Sequence, residues 1–148
     1  MRGKAIERRD PGRNHGLLGA HRRLRCYRGV SPGLTILFVD DDQPVLNVIA
    51  EALSAKGFRV LAMNNGDEAL RLLTQEPVDV LLADIVMPDM NGIELAKRAK
   101  LIRPILKVLL QTGYFSRAEE AKSVGKLVFK PLRVDQIESE IRTLLHAA

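Results

Sequence analysis

Five short apolar runs punctuate residues 34–129, and a segment of helical character separates each run from the next. The runs are Leu34 to Val39, Phe58 to Met63, Val78 to Ala83, Ile105 to Gln111 and Leu127 to Phe129. Runs of this length bounded by turn residues read as strands buried on both faces. Strand and helix in strict alternation leave one economical solution. The strands lie parallel, because each crossover contains a helix, and helices cover both faces of the sheet. The expected fold is α/β, a five-stranded, doubly wound parallel sheet in a single domain spanning 34–148.

The intervening segments carry the marks of helices. Asp42 is placed to cap the first, Pro44 suits its first turn, and Gly57 closes it. Val45, Val48, Ile49, Ala52 and Leu53 recur between them at helical spacing. Asn64-Asn65-Gly66 signals a turn, and Ala69, Leu70, Leu72 and Leu73 mark a short helix ending before Pro77. Ile93 to Leu101 is expected as a helix stopped by Pro104, and Ser116 to Val124 as a short, mostly polar one. In the last helix Val134, Ile137, Ile141, Leu144 and Leu145 share one face.

Charge is distributed unevenly. Residues 1–33 hold nine Lys and Arg against two Asp and Glu, a net +7, while residues 34–148 hold fourteen against sixteen, a net −2. The whole-chain charge of +5 therefore belongs to the N-terminal stretch, and it is no argument for a nucleic-acid-binding domain. That stretch shows no sustained period and is rich in Arg and Gly, so it reads as a disordered, solvated tail or as sequence upstream of a true start near Val30. Its cluster Arg22-Arg23-Leu24-Arg25-Cys26-Tyr27-Arg28 suits contact with phosphate or acidic lipid, and weak, sequence-independent, salt-sensitive nucleic-acid binding through this tail is an alternative reading. No apolar run approaches the roughly 20 residues of a membrane helix, and no membrane partner is expected. Cys26 is the single cysteine and forms no internal disulfide, which suits a cytoplasmic setting.

The chemistry gathers at the strand ends. Asp40-Asp41-Asp42 follows the first run, Asp84 ends the third, Thr112-Gly113 ends the fourth, and Lys130-Pro131 ends the fifth. Open α/β sheets bind their ligands at the C-terminal strand ends, where the strand order reverses. Alone, an acid triplet caps a helix, Thr-Gly makes a turn, and Lys-Pro carries no message. All of them in order at alternate strand ends form a constellation. Asp40, Asp41 and Asp84 in one crevice stay ionised together only beside a cation, and oxygen donors of this kind suit Mg²⁺, with Mn²⁺ a workable substitute. A carboxylate beside such a cation is a competent phosphoryl acceptor. Lys130 offers an ammonium and Thr112 a hydroxyl to phosphoryl oxygens, Gly113 leaves space, and Pro131 is placed to fix the lysine's backbone, with a cis bond as the candidate means.

The pieces Phe38 to Asp42, Leu82 to Gly92, Leu110 to Gly113 and Phe129 to Leu132 together resemble the receiver domain of two-component response regulators, over about residues 34–146. The resemblance implies a flavodoxin-like fold and a signalling protein rather than an enzyme, one that catalyses only its own phosphorylation and dephosphorylation. It implies Asp84 as phosphoacceptor. It also implies Asp40, Asp41, Asp84 and the Val86 backbone carbonyl around Mg²⁺, with Thr112 and Lys130 on the phosphoryl group. The implied donor is a histidine kinase or histidine phosphotransfer protein, and a chain that is complete at Ala148 would be a stand-alone receiver, working by binding a downstream protein or by passing phosphate along a relay. Two departures stand out. Leu127 occupies the position of the family's aromatic switch residue, leaving Tyr114 or Phe115 as candidates for that role. The stretch from Gly125 to Lys130 is also about two residues short. The competing enzyme reading is a haloacid-dehalogenase-type phosphatase with its D-x-D at Asp40-x-Asp42, and it leaves Asp84 and Met87-Pro88 unexplained.

Overall fold

The computed structural model describes residues 33–113 and 116–146. The basic stretch 1–32, the candidate switch residues Tyr114 and Phe115, and residues 147–148 lie outside the described residues.

Five strands and five helices alternate as expected: β1 (Thr35–Val39), α1 (Gln43–Ala55), β2 (Arg59–Met63), α2 (Gly66–Leu73), β3 (Val80–Asp84), α3 (Gly92–Ile102), β4 (Lys107–Thr112), α4 (Ala118–Lys122), β5 (Lys126–Phe129) and α5 (Val134–His146). All strand pairs are parallel, in the order β2-β1-β3-β4-β5. The chain thus leaves β1 for one edge and returns past it to build the other side. The reversal falls between β1 and β3, paired in the register Ile36↔Val80 to Val39↔Ala83. Their last residues therefore open onto the crevice where the acids stand.

The period of two sorts the strand residues between two cores. Leu37, Val39, Leu61, Leu81 and Ala83 pack under α2, α3 and α4 with Leu72, Leu95 and Ala96. Ile36, Phe38, Val60, Val80 and Leu82 pack under α1 and α5 with Leu46, Leu53, Ile137 and Ile141. Burial on both faces explains why these strands read as unbroken apolar runs.

The caps confirm the punctuation. Val45 N–H donates to the Asp42 carboxylate at 3.3 Å, with Pro44 in the first turn of α1. The Asn64-Asn65-Gly66 turn holds a cap as well, since Glu68 N–H donates to the Asn65 side chain at 2.9 Å. Most boundaries move by one or two residues from the sequence reading, and two of the differences have a visible local cause. Ile105 stands outside β4 and is 90% exposed, because Leu106 N–H donates to the Arg103 carbonyl and closes a turn there instead. α4 is shorter than Ser116 to Val124, because Arg117 takes a left-handed conformation (φ 75°) at its start.

The tight passage into β5 depends on Gly125. A Cβ there would lie 2.7 Å from the Val108 carbonyl oxygen, so the chain crosses β4 at backbone distance. Leu127 packs half-buried against the α2–α4 core, where the aromatic switch residue was expected by resemblance.

Leu82 is fully buried, and Val48 is 65% exposed on α1. Leu82→Ala is expected to cost about 2–5 kcal/mol of unfolding free energy in a urea titration, and Val48→Ala to stay within about 0.5 kcal/mol of the parent.

Candidate phosphoacceptor site

Asp84 is the last residue of β3, and its side chain is fixed at both oxygens. Oδ1 accepts the Val86 N–H at 3.2 Å, and Oδ2 accepts the Lys130 ammonium at 2.7 Å. The second bond joins residues 46 positions apart and closes the site from the β5 side.

The acid triplet divides its work. Asp40, just past β1, is buried, and its Oδ1 accepts the Asp42 N–H at 2.9 Å. Its Oδ2 is buried with no hydrogen-bond partner among the described residues, 3.9 Å from the Lys130 nitrogen. Asp41 is exposed at the rim. Asp40, Asp41 and Asp84 each offer an oxygen, and these three atoms lie within 4.8 Å of one another. Asp42 turns away to cap α1. The D-x-D reading at Asp40-x-Asp42 is therefore corrected, because its second acid is spent on a helix terminus and stands outside the acid cluster.

Three carboxylates and one ammonium leave a net −2 in this crevice. Burial pushes the Asp40 carboxyl above its ordinary pKa. The Asp42 amide and the Lys130 charge oppose this, the Asp84 and Asp41 charges add to it, and the balance is upward. Burial acts downward on Lys130, but the hydrogen bond and charge of Asp84, with Asp40 and Asp41, outweigh it, so Lys130 stands above its ordinary value and stays charged. An orphaned buried carboxylate oxygen, two nearby acids and a net −2 fit a hard divalent cation held by oxygens. The cluster can hold a metal ion.

Thr112 ends β4 beside Phe129 of β5 and is buried, and its carbonyl accepts the Lys130 N–H at 2.8 Å. The Lys130–Pro131 peptide bond is cis. Gly113 is not needed for space, since a Cβ there would meet nothing within 4 Å. Val86 stands in the loop two residues past Asp84 with its side chain 51% exposed.

One position was not singled out from sequence. A Cβ on Gly92 would lie 2.4 Å from the Asp84 carbonyl oxygen, so the start of α3 presses on the acceptor's own backbone. Asn91 caps α3 through Glu94 N–H at 2.9 Å, and Gly92 N–H donates to the Ile85 carbonyl at 2.9 Å. The signal was the Asn91-Gly92 pair after Pro88-Asp89, which reads as an ordinary loop until β3 and α3 are brought together.

The response regulator receiver domain pattern matches residues 36–142. The response regulator receiver protein CpdR of Brucella abortus (strain 2308) is 38% identical over 117 residues, covering 76% of this chain and 98% of that protein. Sporulation initiation phosphotransferase F of Bacillus subtilis (strain 168) is 32% identical over 114 residues, covering 74% and 92%. Among solved structures, the response regulator protein TrrA of Thermotoga maritima, in complex with Mg²⁺–BeF, superposes with a TM-score of 0.70 at 25% identity, covering 76% of this chain and 99% of that one. The chain belongs to the receiver domains of response regulators.

The raised Asp40 pKa has a consequence for stability. A carboxyl whose folded pKa exceeds its unfolded value binds its proton more tightly when folded, so it favours folding at low pH and loses that contribution as pH rises through the folded value. At neutral pH without a divalent cation, ionised Asp40 costs stability. Asp40→Asn keeps an acceptor for the Asp42 amide and removes the charge. Thermal melts in chelator are expected to give the variant a midpoint a few degrees higher at pH 7, with the gap narrowing as pH falls through the raised folded value and gone below the ordinary carboxylate value.

Proposed function

We propose that this receiver domain accepts a phosphoryl group on Asp84 from a histidine kinase or histidine phosphotransfer protein and passes the signal on by changing its affinity for a downstream protein. The observation that carries this reading is the junction at Asp84, where Lys130 reaches the acceptor from β5 while Asp40 and Asp41 face it from β1. The family supports a phosphorelay role in general terms.

In the proposed reaction a carboxylate oxygen of Asp84 attacks the phosphorus of a phosphoimidazole. The new O–P bond forms as the N–P bond breaks, and the imidazole leaves with its electron pair. Mg²⁺, held by Asp40, Asp41, Asp84 and the Val86 carbonyl, would supply positive charge to the phosphoryl oxygens, and Mn²⁺ would substitute. TrrA was solved with Mg²⁺–BeF, which supports this choice of ion. Lys130 follows the charge from the carboxylate to a phosphoryl oxygen, and its pKa above the ordinary value keeps it cationic for that task. The Thr112 hydroxyl, at the neighbouring strand end, donates to another phosphoryl oxygen, and its movement repositions the segment into α4. Hydrolysis of the aspartyl phosphate on the same domain resets it.

With Leu127 in place of an aromatic residue, no large ring swings beneath α4 from that position. The switch in this reading rests on Thr112 and the following segment, with Tyr114 or Phe115 as the aromatic participant. No helix among the described residues is long and apolar enough to cross a membrane, and the proposed setting is the cytoplasm, where kinase output domains operate.

Incubation with acetyl phosphate and Mg²⁺, followed by intact-mass spectrometry, tests the acceptor. A single phosphoryl adduct is expected on the wild type, lost in chelator and absent from Asp84→Asn. An adduct that survives Asp84→Asn would move the chemistry to another residue.

A further inference from the structure

We propose that the turn between α3 and β4 is a docking surface for an acidic, apolar segment of a protein partner, used independently of the phosphorylation state of Asp84. Leu101 and Ile105 are 84% and 90% exposed, and Ile102 stands exposed beside them. No other large hydrophobic side chain among the described residues is as exposed as the first two. A fixed framework presents them. Arg103 N–H donates to the Ala99 carbonyl, Leu106 N–H closes the turn on Arg103, and the Arg103 guanidinium is anchored on the carbonyls of Leu73 and Glu76 at 2.6–3.1 Å. Scattered exposed aliphatics are ordinary, but three within five residues on a braced, convex turn form a patch.

Charge selects the occupant. Residues 97–107 contain five Lys and Arg and no acid. Lys97 and Arg98 are neutralised by Glu120 and Glu94 at 3.2 and 2.7 Å, and Arg103 is spent on backbone carbonyls. Lys100 and Lys107 have no ion pair among the described residues and flank the aliphatics, and Asp79, beside Lys107, already accepts the Thr35 amide. A second copy docking through the same turn would bring the same positive charges, and residues 1–33 carry a net +7 of their own, so both are repelled. An anionic bilayer is a poor fit, because two lysines and three aliphatics with no aromatic residue amount to one weak anchor, and stable attachment takes two. A segment with apolar residues on one face and acids at its flanks satisfies both features, with the lysine stems lying along the apolar contact.

The turn lies at the N-terminal edge of the sheet, and β4 from Lys107 to Gln111, the partner of Asp84, puts about 13 Å between it and the level of Asp84. Lys130 and Thr112, the two groups that would meet a phosphoryl group, lie at the opposite, C-terminal ends of the strands, so the surface is expected to stay the same in both signalling states.

The test is a titration of the ¹⁵N-labelled full chain, followed by amide NMR shifts. One probe is a synthetic amphipathic peptide with leucines on one face and glutamates at its flanks. The others are the same peptide with lysines in place of the glutamates, and vesicles of phosphatidylglycerol and phosphatidylcholine. Saturable shifts confined to residues 98–107 are expected with the acidic peptide, at least about tenfold tighter than with the basic one. Combined Leu101→Ser and Ile105→Ser is expected to weaken binding about tenfold or more, while the variant still takes a phosphoryl group from acetyl phosphate. Asp84→Asn and beryllofluoride are expected to leave the affinity unchanged. Equal affinity for both peptides, no binding, shifts centred elsewhere, preferential binding to vesicles or self-association through the turn would each overturn the proposal. None of these outcomes bears on phosphoryl transfer at Asp84.

Discussion

Three carboxylates whose oxygens lie within 4.8 Å of one another repel, and the fold holds them together against that repulsion. Lys130 is the counterweight supplied by the chain itself, bonded to Asp84 and within 3.9 Å of Asp40. One ammonium cannot balance three acids. The site is left short of positive charge, with a buried Asp40 oxygen that no donor among the described residues reaches. A domain in this condition responds strongly to whatever supplies the missing charge, and equally to a phosphoryl group that redistributes it. Stability is given up locally where the chemistry needs it.

The rest of the architecture provides the rigidity this requires. Asp40 directly follows β1 and Asp84 ends the adjacent parallel β3 at the point where strand order reverses, so both are held beside the last rung of the β1–β3 ladder, Val39↔Ala83. Asp42 ties the loop after Asp40 to α1, and Gly92 lets α3 press directly on the backbone of Asp84. Lys130 is aligned by its own N–H on the Thr112 carbonyl, which links the two residues expected to face a phosphoryl group. The two apolar cores beneath make this rim of polar side chains the edge of a stiff plate rather than a set of free loops.

The sequence made most of the fold legible because burial on both faces writes each strand as a continuous apolar run, and because Asp42, Pro44 and Gly57 mark the ends of α1 openly. Asp40, Asp41, Asp84, Thr112 and Lys130 were legible as strand-end residues in a fixed order, and the structure brings Asp40, Asp41, Asp84 and Lys130 into one crevice with Thr112 at the adjoining strand end. What stayed hidden depended on contacts between distant segments. The role of Gly92 appears only when α3 meets the end of β3, and that of Gly125 only when the chain crosses Val108. Ile105 read as strand because its side chain is apolar, and only the turn closed by Leu106 onto Arg103 turns it outward.

The most direct test of the charge-deficient crevice is paramagnetic broadening by Mn²⁺ in amide NMR spectra. At substoichiometric Mn²⁺, signals from Asp40 to Asp42, Asp84 to Val86, and Lys130 should vanish first, and excess Mg²⁺ should restore them. Broadening spread over the exposed acids of the helices, or centred away from the β1–β3 strand ends, would contradict the account.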